Sequence, residues 1–152
     1  VAVAPSCTLL EAMALAADRD RIAWNYVHGL ADVLVDGPAR LAELAARGWP
    51  ADRIVTGVHL GFLGRIPDSH VARKHGPAAA MALTRRVAVL DARLLAVADP
   101  ATLEPLLLDL DRELKRDGVN PGTSADLTVA TLFAHAMMNG CNPALPDLGS
   151  CV

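Results

Sequence analysis

Apolar residues recur at three- and four-residue steps along almost the whole chain, and that period limits it to helical structure. The clearest case is Leu103, Leu106, Leu107, Leu110 and Leu114, a stripe opposed by Arg112, Glu113, Lys115 and Arg116. Pro105 falls in the first turn of this helix, where its missing N–H is not needed. From Thr8 to Val35 the same period runs through Leu10, Met13, Ala14, Ala17, Trp24, Val27, Leu30 and Leu34 until Gly37-Pro38 stops it. This predicts one helix of about 40 Å at 1.5 Å per residue. Further helices are predicted from Pro38 to Arg47, Asp52 to about Arg65, Pro77 to Val97 and Ser124 to Met138. Gly57, Gly61 and Gly64 are spaced by four and three, and each costs a solvated helix about 0.5–1 kcal/mol against alanine. Their common face points either to another backbone packed against it or to an irregular segment. The expected fold is all-α, a bundle of about six helices over residues 1–140 with an irregular tail over residues 141–152.

Composition closes off several classes of function. The 152 residues are 53% hydrophobic and 20% charged, which excludes disorder, and with 3% aromatics the core must be built from Ala, Leu and Val. A net charge of −3 leaves no broad basic footprint, so nucleic-acid binding is not expected and any anion site must be local. No apolar run reaches the roughly 18 residues a membrane helix needs, so no membrane association is expected. Cys7, Cys141 and Cys151 are odd in number and lack CxxC spacing, and no secretory leader opens the chain, so a cytoplasmic location with reduced thiols is expected.

Three polar stretches stand out from this background. The first is Asp18-Arg19-Asp20-Arg21-Ile22-Ala23-Trp24-Asn25-Tyr26, in which Asp18, Arg19 and Arg21 read as a solvated charge run of helical neighbours. Asp20 leans toward the apolar stripe, where its carboxylate needs a cation, a donor or a metal; an ion pair with Arg73 or Lys74 and a metal site explain it equally well. The second is PDSHVARKHG, Pro67 to Gly76, with two cations, two imidazoles, a carboxylate and a hydroxyl in ten residues. It reads either as an ordinary polar loop or as a loop carrying a site. The third is Asn120-Pro121-Gly122-Thr123-Ser124-Ala125-Asp126, a glycine turn delivering hydroxyls to a helix start. Exposed N–H groups there attract phosphate, but Thr123 to Asp126 has the form of a capping box as well. His59, His70 and His75 lack HExxH spacing, and no GxxxxGK[ST] is present, so zinc hydrolysis and a P-loop are not indicated.

In this order and at these separations the three stretches resemble the C-terminal part of the triphosphoribosyl-dephospho-CoA synthase family. The matching elements are an RD pair followed by a tyrosine (Arg19, Asp20, Tyr26), PD[ST]xxxRKxG (Pro67 to Gly76) and a PGGSADLLAATLF-like segment, here PGTSADLTVATLF from Pro121 to Phe133. Thr123 replaces the second glycine of the usual PGG, and the family's N-terminal portion is not represented. The resemblance implies a transferase that joins the anomeric carbon of the ATP ribose to the 2'-hydroxyl of dephospho-CoA and expels adenine, with ATP as substrate and Mg2+ as cofactor. The developing oxocarbenium charge calls for cations around the triphosphate, an acid for the departing base and a nearby carboxylate.

On that resemblance Asp68, His75 and Asp126 are expected to be catalytic. Arg73, Lys74, Ser69, Gly122, Ser124 and Tyr26 are expected to contact substrate or phosphate, and Asp20, Asp68 and Asp126 to hold the metal. The chain is expected to be part of a larger helical enzyme, completed by a further N-terminal segment or a second chain, with homo-oligomerisation as one form of that completion. A relative acting on another cofactor precursor, as in one-carbon cofactor assembly, and a non-catalytic helical subunit are the competing readings.

Overall fold

The computed structural model describes residues 6–139, and among them the fold is all-α with no strand. Eight α-helices follow in order: α1 (Leu9–Ala14), α2 (Arg21–Val27), α3 (Gly37–Ala45), α4 (Ala51–Leu63), α5 (Ser69–His75), α6 (Pro77–Ala96), α7 (Glu104–Arg116) and α8 (Gly122–Asn139). A π-helical turn over Asp32–Asp36 precedes α3, and a 3-10 turn over Pro100–Leu103 precedes α7. The expected tail over residues 141–152 lies outside the described residues.

The helix expected from Thr8 to Val35 is broken twice. Asp20 takes an extended conformation and caps α2, its side chain accepting from the N–H groups of Ile22 and Ala23. Gly29 and Leu30 then both adopt positive φ, at 64° and 58°, which turns the chain back and starts the π-helical turn. Apolar periodicity survives both breaks because the same face of each short helix still meets the core. The polar stretch from Pro67 is likewise not a loop: Asp68 caps α5, and Gly76, at φ 91°, ends it and admits Pro77 as the first residue of α6. These two changes raise the count from about six helices to eight.

Helix α4 is central, packed on α3, α6 and α8, while α5 lies across α6 and α8 and the π-helical turn packs on α3 and α8. The core is aliphatic, with Leu41, Leu44, Ile54, Val58, Val87 and Leu94 essentially inaccessible; each such side chain contributes about 1.5–3 kcal/mol on burial. The α4 glycines are explained by this packing. A Cβ at Gly64 would come within 3.1 Å of the Ala88 backbone of α6, and at Gly57 within 2.6 Å of Leu44 of α3. Gly61 faces the Arg40 side chain, nearest at its Nε, so one of the three meets backbone and the other two meet side chains. Helix α8 leaves Val129, Phe133 and Met137 exposed at four-residue spacing, an apolar stripe with no cover among the described residues.

Gly37, buried inside the helical stretch, abuts Thr131 of α8, and an added Cβ would overlap the threonine side chain. Gly37→Ala therefore sets a propensity gain of about 1 kcal/mol against overpacking of about 1–3 kcal/mol. The expected outcome in chemical denaturation is a net loss of stability, relieved by the additional substitution Thr131→Ser.

Candidate active site

The three polar stretches come together at one seam. The N-terminal ends of α2, α5 and α8 meet there, side chains at the start of α5 engaging backbone of α2 and α8 and a side chain of α8 engaging backbone of α5. Asp68, 1% exposed, accepts the Val71 N–H at 3.0 Å on one oxygen, and the Ser124 N–H and hydroxyl at 2.8 and 2.9 Å on the other. Ser69 Oγ lies 2.9 Å from Thr123 Oγ1 and accepts the Arg21 N–H at 3.2 Å, while Thr123 Oγ1 accepts the His70 N–H at 3.2 Å. The threonine that departs from the family's PGG thus supplies a hydroxyl that a glycine could not, and it ties α8 to two consecutive residues of α5. With its hydroxyl used in this way, and with α8 beginning at Gly122, Thr123 does not form the expected capping box with Asp126.

Asp20 needed a donor, and the donors are the backbone N–H groups of α2, both on Oδ1 at 2.9 and 3.3 Å. Its Oδ2 carries no hydrogen bond, and Asp20 lines a cleft of about 540 Å3 together with Asp18, Arg19, Arg21 and Trp24 on one side and Pro67, Ser69 and Ala72 on the other. Arg21 is not part of a solvated run. Its guanidinium makes a two-pronged contact with Asp32, at 2.8 and 2.9 Å, and lies 3.5 Å over the Trp24 ring, which in turn stacks on His28. Asn25 closes this network by donating to Asp32 at 2.7 Å and accepting the Asp32 N–H at 3.0 Å. Burial alone would raise the Asp32 carboxyl, but the hydrogen bonds and charge of Arg21 and the Asn25 amide outweigh it and hold the group below its ordinary value. Asp32 and Asn25 escaped the sequence reading because they approach each other only through the turn at Gly29 and Leu30. The signal was Gly29 itself, interrupting an otherwise uniform helical run.

The other expected site residues are spread around this seam. Arg73 reaches His70 Nδ1 at 3.2 Å, and Lys74 Nζ and His75 Nε2 both contact the Gly118 carbonyl, at 3.3 and 3.2 Å, so these three cluster at the last turn of α5, where cations complement the helix dipole. Gly122 packs against the His70 ring, and Tyr26 is exposed on α2. Asp126 is exposed without a hydrogen bond, four residues beyond Gly122 and so on the same face of α8. Asp20, Asp68 and Asp126 do not gather: among the described residues no group of three or more His, Cys, Asp or Glu side chains is placed to hold a metal ion. Asp68 is already committed to three donors. Of the three, Asp20 and Asp126 have oxygens to offer an Mg2+ ion that arrives on phosphate and keeps most of its waters.

His59 of α4, missed as a site residue, backs the seam from the opposite side. Burial lowers its basicity, opposed by a hydrogen bond to the Ser124 backbone and by the charge of Asp68, so the ring is held neutral at pH 7. A smaller cleft of about 210 Å3 between α3 and α4 also contains cations, Arg40 and Arg65, but these are paired with Asp91 and Glu43 and with Asp36.

The seam makes a quantitative demand on Asp68. In Asp68→Asn the side chain offers one acceptor oxygen and an N–H2 group to three converging donors, leaving buried N–H groups unpaired. Equilibrium denaturation should show a loss of about 3 kcal/mol, well above the ~1 kcal/mol of a simple helix cap. A loss no larger than that of a cap would mean that α8 does not depend on this carboxylate.

The family model for CitG, described as ATP:dephospho-CoA triphosphoribosyl transferase, matches residues 2–143 and so takes in all three stretches of the seam. No curated protein and no solved structure matches the chain. The match covers nearly the whole sequence, and the chain belongs to the ATP:dephospho-CoA triphosphoribosyl transferase family, a family of transferases.

Proposed function

We propose that this chain carries the nucleotide-binding part of an enzyme that transfers the triphosphoribosyl group of ATP to the 2'-hydroxyl of dephospho-CoA and releases adenine. The observation that carries the reading is the convergence of the RD, PDSHVARKHG and PGTSADL stretches on one seam beside a polar cleft, in a chain matched to the family from residue 2 to residue 143. In this reading the cleft between α2 and α5 receives ATP. Arg21, held by Asp32 and flattened on Trp24, meets the triphosphate with its orientation already fixed, so little side-chain entropy is lost on binding. Asp20 is the carboxylate available to Mg2+ on the phosphates or to positive charge building on the ribose. When bound, Mg2+ supplies charge neutralisation along the triphosphate.

The chemistry is a substitution at the anomeric carbon. The bond from C1' to adenine N9 breaks with its electron pair leaving on adenine, which takes up a proton; the acceptor oxygen forms the new C1'–O bond and gives up its hydroxyl proton. The phosphates remain intact. Asp126, exposed and without a hydrogen bond beside Gly122, fits the carboxylate that accepts the hydroxyl proton. His75 and the neighbouring Arg73 and Lys74 stand at the other end of α5, on the side from which the acceptor approaches in this reading. Asp68 acts through position: it fixes the relative placement of Ser69, Ser124 and the cleft wall without touching substrate.

Incubation of the intact protein with ATP, Mg2+ and dephospho-CoA should release adenine in step with a triphosphate-bearing adduct, followed by chromatography against ADP and AMP standards. Arg21→Ala should lower kcat/KM for ATP about 100-fold or more, the scale of losing one pre-oriented charged donor. ADP as the sole nucleotide product would contradict the reading, and adenine released only with another acceptor would transfer it to a different cofactor precursor.

A further inference from the structure

A second cleft borders the seam from the α8 side, and its chemistry differs from the first. It lies between α4 and α7, has a volume of about 620 Å3, and is walled by Leu60, Leu63, Leu107, Leu110, Leu114 and Val119. Its size is within the range of small-molecule sites, roughly 300–1,000 Å3. Helix α7 does not close down on α4; ion pairs on its flanks, Arg53 with Glu104 and Arg86 with Glu113, hold it in place. The apolar wall is interrupted by Thr56, by His59 and by Asn120, which set a few hydrogen-bonding groups among the leucines. His59, kept neutral by burial, offers a hydrogen-bonding group without a charge.

The mouth of this cleft carries basic side chains. Lys115 and the Gly118 backbone line it, and Lys74 and His75 of α5 converge on the Gly118 carbonyl, all three side chains being exposed. Asp111 is the one acidic residue among the lining groups, and it is paired with Lys115 at 2.7 Å. The cleft ends at Asn120 and Pro121, immediately before Gly122, so a ligand lying in it terminates at the seam. Such a lining suits an uncharged, extended body that can hydrogen-bond at a few points along its length, with an anionic group at the end nearer the seam.

We infer that this α4–α7 cleft is the subsite for the uncharged pantetheine-type arm of the acceptor, with the Lys74, His75 and Lys115 cluster receiving the phosphates to which that arm is attached. The inference rests on the proposed reaction for the identity of the acceptor, and on the leucine wall, the interspersed polar groups and the basic mouth for the place. The two clefts on either side of the seam then take the two substrates, and the reacting ribose atoms meet over Ser69, Thr123 and Gly122.

Binding of 4'-phosphopantetheine to the intact protein, measured by titration calorimetry without ATP, tests the place independently of catalysis. It should bind more tightly than pantetheine, Leu107→Trp should weaken it about 10-fold or more by filling the cleft, and Lys115→Ala should weaken it several-fold, on a scale of about 1.4 kcal/mol per tenfold. Lys115 is exposed, so its variant keeps the fold intact if leucine replacement does not; thermal melts of both verify this. Absence of 4'-phosphopantetheine binding, or binding that neither variant alters, would overturn the inference. Kinetics separate the two levels of the account. The preference for dephospho-CoA over ADP, which offers the same 2'-hydroxyl without the arm, should be large in the wild type and collapse in Leu107→Trp. Adenine released from ATP with that preference unaltered would reject the arm subsite and keep the reaction; 4'-phosphopantetheine bound as expected, with no adenine from either acceptor, would reject the reaction and keep the subsite.

Discussion

One buried carboxylate holds the candidate site together. Asp68 begins α5 by accepting the Val71 N–H and begins α8 by accepting both the N–H and the hydroxyl of Ser124. Charge-assisted bonds of this kind are roughly twice as strong as neutral ones, and in a buried setting an unmatched donor is costly. Two helices far apart in sequence are thereby fixed end to end, and the Ser69 and Thr123 hydroxyls extend the junction to Arg21 of α2. The polar residues that make the three stretches conspicuous are spent first on this junction. What is left to meet a ligand is Asp20, whose Oδ2 carries no hydrogen bond, the partly exposed Arg21 paired with Asp32, the exposed Asp126 and the basic end of α5.

Much of the fold was legible because helical periodicity is a local property. The leucine stripe of α7 and the bounds of α4 and α6 follow from residues within a turn of one another, whereas Gly37-Pro38, expected to stop the preceding run, lies within continuous helix, the π-helical turn passing directly into α3 with Gly37 in helical conformation. The region before Val35 was misjudged because apolar spacing records which face is buried and says nothing of whether the backbone between turns is continuous. Asp20 as a cap and Gly29 with Leu30 at positive φ are decided by single residues that the period does not register. PDSHVARKHG was misjudged as a loop for a related reason. Its polar side chains mask a short helix whose one buried residue, Val71, supplies too little apolar signal to count.

The site divides along the same line. That Asp20, Asp68, Ser69 and Ser124 belong together could be taken from the family resemblance, but their roles could not, because a capping carboxylate and a catalytic one have the same side chain. Asp68 turns out to be buried and bound by three donors, whereas Arg21, assigned to a solvated run, is the best-oriented cation at the cleft. Its partner Asp32 is reached only through a backbone reversal. In the pairing of Arg21 and Asp32 the arginine side chain stays 27% exposed and the carboxylate is buried, which leaves part of the arginine accessible while removing its freedom to reorient. That combination suits a group that must bind an anion without rearranging.

The central claim is that a nucleotide triphosphate lands in the cleft between α2 and α5, against the seam, and hydrogen–deuterium exchange of the protein with and without Mg2+ and ATP reads this directly. Added protection should concentrate in residues 17–24 and 66–72, the segments that wall that cleft. Protection confined to the α3–α4 cleft around Arg40 and Arg65, with the seam segments unchanged, would contradict the account.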